Sequence, residues 1–203
     1  MGDPDSDIEA LIRATSPGST TAEPGFDVAI GTVDTPIGDL TVALTARGVL
    51  TCAYEEEQRI AARLARTFSK RIGRSPQRLD PIRREVEAYF AGRLRTFSTP
   101  PDLRLTSDFA RAALRATLDV PYGSTITYRD LAARIGRPQA IRAVANALNT
   151  NPVSLVLPCH RVVPDGYADS GEAGGYVGGA DAKLYLLTLE EYAPRRQAAA
   201  EAR

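Results

Sequence analysis

A chain of 203 residues can form one large domain or two small ones, and its 43% hydrophobic and 25% charged residues are ordinary for a globular protein. No apolar run approaches the roughly 20 residues that a membrane helix needs. The acidic start, MGDPDSDIEA, lacks the basic and apolar regions of a signal peptide, so a cytoplasmic chain with no membrane partner is expected.

Residues 1–25 offer a short helix, DIEALIRAT, and then a linker rich in turn formers, SPGSTTAEPG. From Phe26 the run FDVAIGTVDTPIGDLTVALTARGVLTCAYEE reads as three strands in a meander, with turns at TPIGD and ARG and Cys52 on the third strand. Two helices follow, EEQRIAARLARTFSKRI and LDPIRREVEAYFAGR. The second has Ile82, Val86 and Tyr89 at helical spacing and Gly92 as its stop. Pro100 and Pro101 mark a boundary between two lobes. Beyond it SDFARAALRATLDV reads as a helix capped by Ser107, with Phe109, Ala113, Leu114 and Leu118 as its apolar stripe. Thr127 caps YRDLAARIG, which Gly136 ends, and Pro138 lies at the start of PQAIRAVANALNT. Two short helices with a tight glycine-containing turn make a helix-turn-helix pattern, which by itself is also common in ordinary cores.

Charge is zero overall but uneven. Between Leu103 and Val163 eight arginines face three aspartates, with no lysine or glutamate, whereas residues 1–60 hold eleven acids and three arginines. A neutral chain with a basic half can still bind phosphates through one face. Cys52 and Cys159 are far apart and read as free thiols. His160 is the single histidine, so no common Cys/His zinc site can be assembled, and a carboxylate site for a hard cation is left open. No cofactor is expected.

Val153 to Leu157 is a short apolar segment between Pro152 and Pro158 that would deliver Cys159 to the edge of a cavity. Most free cysteines are small buried hydrophobes, and a Cys-His dipeptide alone leaves that reading favoured. PCHRVV, preceded by the helix-turn-helix, resembles the O6-alkylguanine-DNA alkyltransferase family. The resemblance runs over PYGSTITYRDLAARIGRPQAIRAVANALNTNPVSLVLPCHRVV and resumes at GGYVGG and KLYLLTLE. It implies that Cys159 is the alkyl acceptor, with His160 as its base through a water and Glu190 orienting His160. It gives Tyr128 the protonation of the leaving base. Arg142 would enter the base stack from the minor groove, Ala143 would let its helix lie close, and Asn151 would brace the turn before Cys159. Val162, Tyr176 and Val177 would help form the base pocket. The implied partner is double-stranded DNA containing O6-alkylguanine, and the implied activity is a single, irreversible transfer by a monomer, with clustering on DNA left open.

Two features depart from the family pattern. PDGYADSGEAGG, between Val163 and Tyr176, is longer than the usual linker and carries Asp169 and Glu172, whose charges would oppose DNA unless they point away. Val177 stands where a small or polar residue is expected. The fold class implied is α/β in two lobes. Residues 26–102 form a small lobe with a three-stranded antiparallel sheet, and 103–192 form a mainly helical, winged-helix-like lobe; 1–25 and 193–203 are mobile ends. Competing readings are a damage sensor without repair, a multiple-turnover thiol hydrolase, and a transcription factor using only the helix-turn-helix.

Overall fold

The computed structural model describes residues 25–201, with side-chain surroundings to residue 191, so the expected helix over DIEALIRAT and most of its linker lie outside the described residues. β1 (Val28–Val33), β2 (Leu40–Thr45) and β3 (Gly48–Ala53) form the antiparallel meander, with Gly31 opposite Val42 and Val42 opposite Cys52. At the TPIGD turn the Thr35 hydroxyl donates to Gly38 O at 2.5 Å, and Gly38 takes a φ of +110° that suits glycine. A fourth strand, β4 (Ile72–Gly73), pairs in parallel with β1 and gives the order β3-β2-β1-β4. The three-strand expectation missed it because two residues cannot display an alternating pattern.

The sheet is covered on both faces. α1 (Glu57–Thr67) packs Ile60 and Leu64 with Val28, Ile30 and Ala43. α2 (Pro76–Phe90) packs Ile82, Val86 and Tyr89 with Val33, Val42 and Cys52, which alternate to the opposite face. Pro76 at the first helical turn starts α2 three residues before the expected Leu79, and Gly92 at φ +71° lies just past its end.

In the second half, α3 (Asp108–Ala116) is capped by the Ser107 hydroxyl, which accepts from the Ala110 N–H at 3.3 Å. Ala113 and Leu114 are buried, but Leu118 is 49% exposed. The helix tightens there into a 3₁₀ turn (Thr117–Asp119), so Leu118 leaves the stripe predicted for a continuous α-helix. α4 (Tyr128–Arg134) is capped by Thr127, and Gly136 at φ +70° follows it. α5 (Ile141–Asn149) begins beyond Pro138, which lies instead in the connecting turn closed by the Ala140 N–H donating to Arg137 O at 2.8 Å. Two short strands, β5 (Ile126–Thr127) and β6 (Val162–Val163), pair in parallel and draw the start of α4 against the segment after Cys159. The long loop folds into α6 (Tyr167–Ser170), between glycines 166 and 171 at positive φ, and Tyr167 packs on Val163, Ala173 and Leu187. α7 (Ala180–Glu201) continues helically into the segment expected as a tail.

The halves meet in a hydrogen-bonded seam. The Val49 N–H donates to Pro100 O at 2.9 Å, and the Asp102 N–H returns a bond to Val49 O at 2.7 Å. On the same strand the Cys52 N–H donates to Pro152 O at 2.8 Å, and the Ser154 N–H donates to Cys52 O at 2.9 Å. One buried cluster joins Val42, Cys52 and Ile82 to Leu114, Leu131, Val144 and Leu186. The seam leaves no room at Gly48, where φ is +130° and an added Cβ would lie 1.9 Å from Pro100 O. Gly48→Ala is therefore expected to cost at least about 2 kcal/mol, read as a lower urea midpoint, because both the backbone and its neighbour must move.

Candidate active site

The segment after α5 is a tight buried turn rather than a straight run. The Leu157 N–H donates to Val153 O at 3.0 Å, and Leu155 is held in the left-handed region at φ +72° with its side chain 1% exposed. For leucine that conformation costs about 1–2 kcal/mol, which burial of the side chain offsets. Asn151 braces the turn from inside: its Oδ1 accepts from the Val153 N–H at 3.0 Å. Its Nδ2 donates to Leu157 O at 3.0 Å and to Cys159 Sγ at 3.2 Å. A short amide side chain can reach all three only because the turn folds back over it.

Cys159 opens a 3₁₀ turn (Cys159–Arg161) whose three side chains are all buried. Burial pushes the Cys159 thiol up to about 11, opposed by the Asn151 hydrogen bond and the positive charge of Lys183. Cys52 is pushed up to about 12 by burial. Of the two free thiols, Cys159 is the one with groups placed to favour its anion.

His160 Nε2 lies 2.9 Å from Glu190 Oε1. The same carboxylate accepts from Arg161 Nε and Nη2 at 2.9 Å, from the Tyr89 hydroxyl at 2.7 Å and from the Gly123 N–H at 3.1 Å. Burial alone would raise Glu190, but the hydrogen bonds from His160 and Arg161 and the Arg161 charge hold it at about 2. Burial lowers His160 below its ordinary value, with Glu190 acting in the opposite direction. A neutral imidazole beside an ionised carboxylate carries its proton on Nε2, which leaves Nδ1 as an acceptor. Nδ1 is buried and has no hydrogen-bond partner among the described residues.

Lys183, on the buried face of α7, closes the other side. Its ammonium donates to Val162 O at 2.7 Å, Gly175 O at 3.2 Å and the Tyr128 hydroxyl at 3.4 Å. Burial lowers it to about 8, and the charge of Cys159 works against that shift. Tyr128 is the first residue of α4, and burial followed by the charge of Cys159 raises its phenol. Tyr176 stands edge-on to His160, with ring centroids 6.2 Å apart. Val177 follows it, half-buried, in the glycine-rich loop.

Arg142 and Ala143 lie on the exposed face of α5, away from the buried Val144, Ala147 and Leu148. The basic stretch also divides. Arg104, Arg111, Arg129 and Arg161 pair with Asp102, Asp108, Asp165 and Glu190. Arg115, Arg134, Arg137 and Arg142 are exposed and have no ion-pair partner among the described residues. Asp169 and Glu172 are exposed on the long loop, whose Asp165 accepts from Arg129 at 2.9 Å.

Sequence reasoning brought Cys159, His160, Glu190, Tyr128, Asn151, Val162 and Tyr176 into consideration and passed over Lys183, Arg161 and the hydroxyl of Tyr89. Lys183 had a signal: it falls at helical spacing with Leu186, Leu187 and Glu190, a lysine on an otherwise buried stripe. No local pattern links Tyr89 to Glu190, 101 residues away.

Residues 108–192 match the family model described as the DNA-binding domain of 6-O-methylguanine DNA methyltransferase. The methylated-DNA–protein-cysteine methyltransferase of Methanosarcina barkeri is 35% identical over 163 residues, covering 78% of this chain and 94% of the relative. That of Mycolicibacterium paratuberculosis is 39% identical over 164 residues, covering 78% and 90%. Among solved structures, Mycobacterium tuberculosis OGT in complex with DNA aligns with a TM-score of 0.69 at 35% identity, over 82% of this chain and 94% of that one.

The Glu190 cluster carries a pH signature. A carboxyl held at about 2 instead of 4.5 contributes stability that is complete above about pH 4.5 and is lost as the pH falls towards 2. Glu190→Gln should lower the urea midpoint most at neutral pH, by leaving Arg161 without a counter-charge. Urea titrations across this range should show the two proteins converging as the pH falls.

Proposed function

Because this chain belongs to the methylated-DNA–protein-cysteine methyltransferase family, we propose that it repairs O6-alkylguanine in double-stranded DNA by moving the alkyl group irreversibly to its own Cys159. The observation that carries this reading is the buried thiol beside a histidine whose Nε2 proton is committed to Glu190, leaving the Nδ1 lone pair for a proton. A water between Nδ1 and Sγ would relay that proton, and the imidazolium formed would be stabilised by the Glu190 carboxylate.

The thiolate attacks the alkyl carbon as the carbon–oxygen bond breaks, and its electron pair leaves with the guanine. Tyr128 donates its proton to the departing base. The Lys183 ammonium at 3.4 Å then stabilises the phenolate. The product is a thioether with no easily displaced bond, so one molecule repairs one lesion. No cofactor takes part in any step.

Cys159 is 4% exposed, so the base must leave the helix to meet it, at a cost of a few kcal/mol. Arg142 would fill the gap from the minor groove while the other unpaired arginines of this half contact phosphates. Asn151 holds Sγ in place, and Val162, Tyr176 and Val177 help wall the base pocket, Val162 and Val177 through their main chain. Ala143 lets α5 lie close to the groove. The protein would act as a monomer.

Two outcomes are expected. Incubation with a duplex carrying O6-methylguanine should add about 14 Da at Cys159 and stop near one equivalent, and Cys159→Ser should abolish the shift. An unchanged mass with tight binding would favour a sensor instead. Arg142→Ala should slow transfer from duplex about tenfold more than transfer from free O6-benzylguanine, measured by single-turnover mass spectrometry, since only the duplex needs a base extruded.

A further inference from the structure

We propose that Tyr54, contributed by the N-terminal half at the end of β3, limits the size of the alkyl group that Cys159 accepts, through its ring against Gly178. This rests on the alkyl-transfer reading and adds to it a specificity residue from outside the stretch 108–192.

The position is held by hydrogen bonds of the strand that leads into it. Tyr54 follows β3 directly, and the main chain of Cys52, two residues before it, is bonded to Pro152 O and to the Ser154 N–H. The Ser154 hydroxyl adds a third bond, to Cys52 O at 2.6 Å. The strand carrying Tyr54 is therefore stitched to the turn that presents Cys159. From that anchor the ring lies on the glycine-rich loop: a Cβ on Gly178 would lie 2.8 Å from Tyr54 Cδ2 and 3.0 Å from Tyr176 Cε1. Two phenol rings thus crowd the same side of one residue of loop backbone, and the second of them stands edge-on to His160.

The loop is tied to the site by Lys183, which donates to Gly175 O at 3.2 Å and to the Tyr128 hydroxyl at 3.4 Å. The phenol of Tyr54 is raised by burial, then by the charges of Cys52 and Cys159; that of Tyr176 is raised by burial and then by Cys159. Both hydroxyls are buried and make no hydrogen bond of good geometry, although Thr35 and Ser154 are their polar neighbours. Two rings packed on the same glycine leave little freedom to the loop that holds Tyr176 against His160, the neighbour of Cys159 in the chain. A methyl group needs almost no space there, whereas a benzyl group needs a slot for a ring. A wall made by one large side chain is the kind of feature that discriminates substituents by volume, about tenfold or more for a change of one or two carbons.

The test compares single-turnover rates of self-alkylation on duplexes carrying O6-methylguanine and O6-benzylguanine, read by intact mass. Tyr54→Ala should raise the benzyl-to-methyl rate ratio about tenfold, and Tyr54→Trp should lower it by a similar factor. Tyr54→Phe, which keeps the ring and loses the hydroxyl, should leave the ratio at the wild-type value. Melting curves identify any variant that fails to fold, and Tyr54→Trp and Tyr54→Ala probe the wall in opposite directions, so either one suffices. The inference is overturned if folded variants keep the wild-type ratio, including the case in which both substrates slow equally. If the wild-type protein gains no mass from the methylated duplex, the alkyl-transfer reading itself fails; an unaltered ratio in a reactive protein sinks only the role of Tyr54.

Discussion

The active site depends on one buried negative charge. The Glu190 carboxylate accepts five hydrogen bonds, from Tyr89 on α2, from the backbone of Gly123, from His160, and twice from Arg161. Removing a carboxylate from water costs several kcal/mol, recovered only where every lone pair finds a donor. The counter-charge is equally constrained: Arg161 also donates to Val120 O at 2.8 Å, and its guanidinium lies 5.6 Å from the centroid of the Tyr122 ring. The cluster therefore links α2, the turn after α3, the 3₁₀ turn of Cys159 and α7, and it admits few arrangements of any of them.

One consequence falls on the imidazole. With its Nε2 proton tied to an ionised carboxylate, His160 has a defined tautomer and a ring plane it cannot leave without stranding charge. The thiol next to it faces the opposite problem, since the burial that shelters it also suppresses its ionisation. Asn151 and Lys183 reduce that penalty without removing it, so the thiol stays protonated at rest. A thiol held in this state reacts only if its proton moves off Sγ first.

Much of this was legible residue by residue. Ser107 and Thr127 announce helix starts because a hydroxyl in front of an amphipathic run satisfies free N–H groups. Gly92 and Gly136 announce stops because positive φ suits glycine. PCHRVV drew attention to Cys159 and His160 together. The expectations that missed did so where a neighbour outweighed a local preference. β4 exists through its pairing with β1, and Pro138 was displaced into a turn. Leu118 was turned out by a tighter helical turn. Half the arginines of the basic stretch were claimed by aspartates and a glutamate, so counting charges overstated what remains for phosphate.

The sequence by itself determined the order of α3, α4 and α5 and singled out Cys159 with the residues nearest to it in the chain, because capping, hydrophobic period and motif order are local properties; it did not show β5, β6 or α6. The tertiary structure alone decided that Tyr89 and Arg161 meet at Glu190, that Lys183, which helical spacing marked only as a lysine on a buried stripe, reaches Val162 O, and that β3 of the first half supports the turn of the second. Those placements follow from satisfying buried charges and backbone groups across a shared core. The partners that satisfy them lie from 21 to 102 residues apart, beyond the reach of any local pattern.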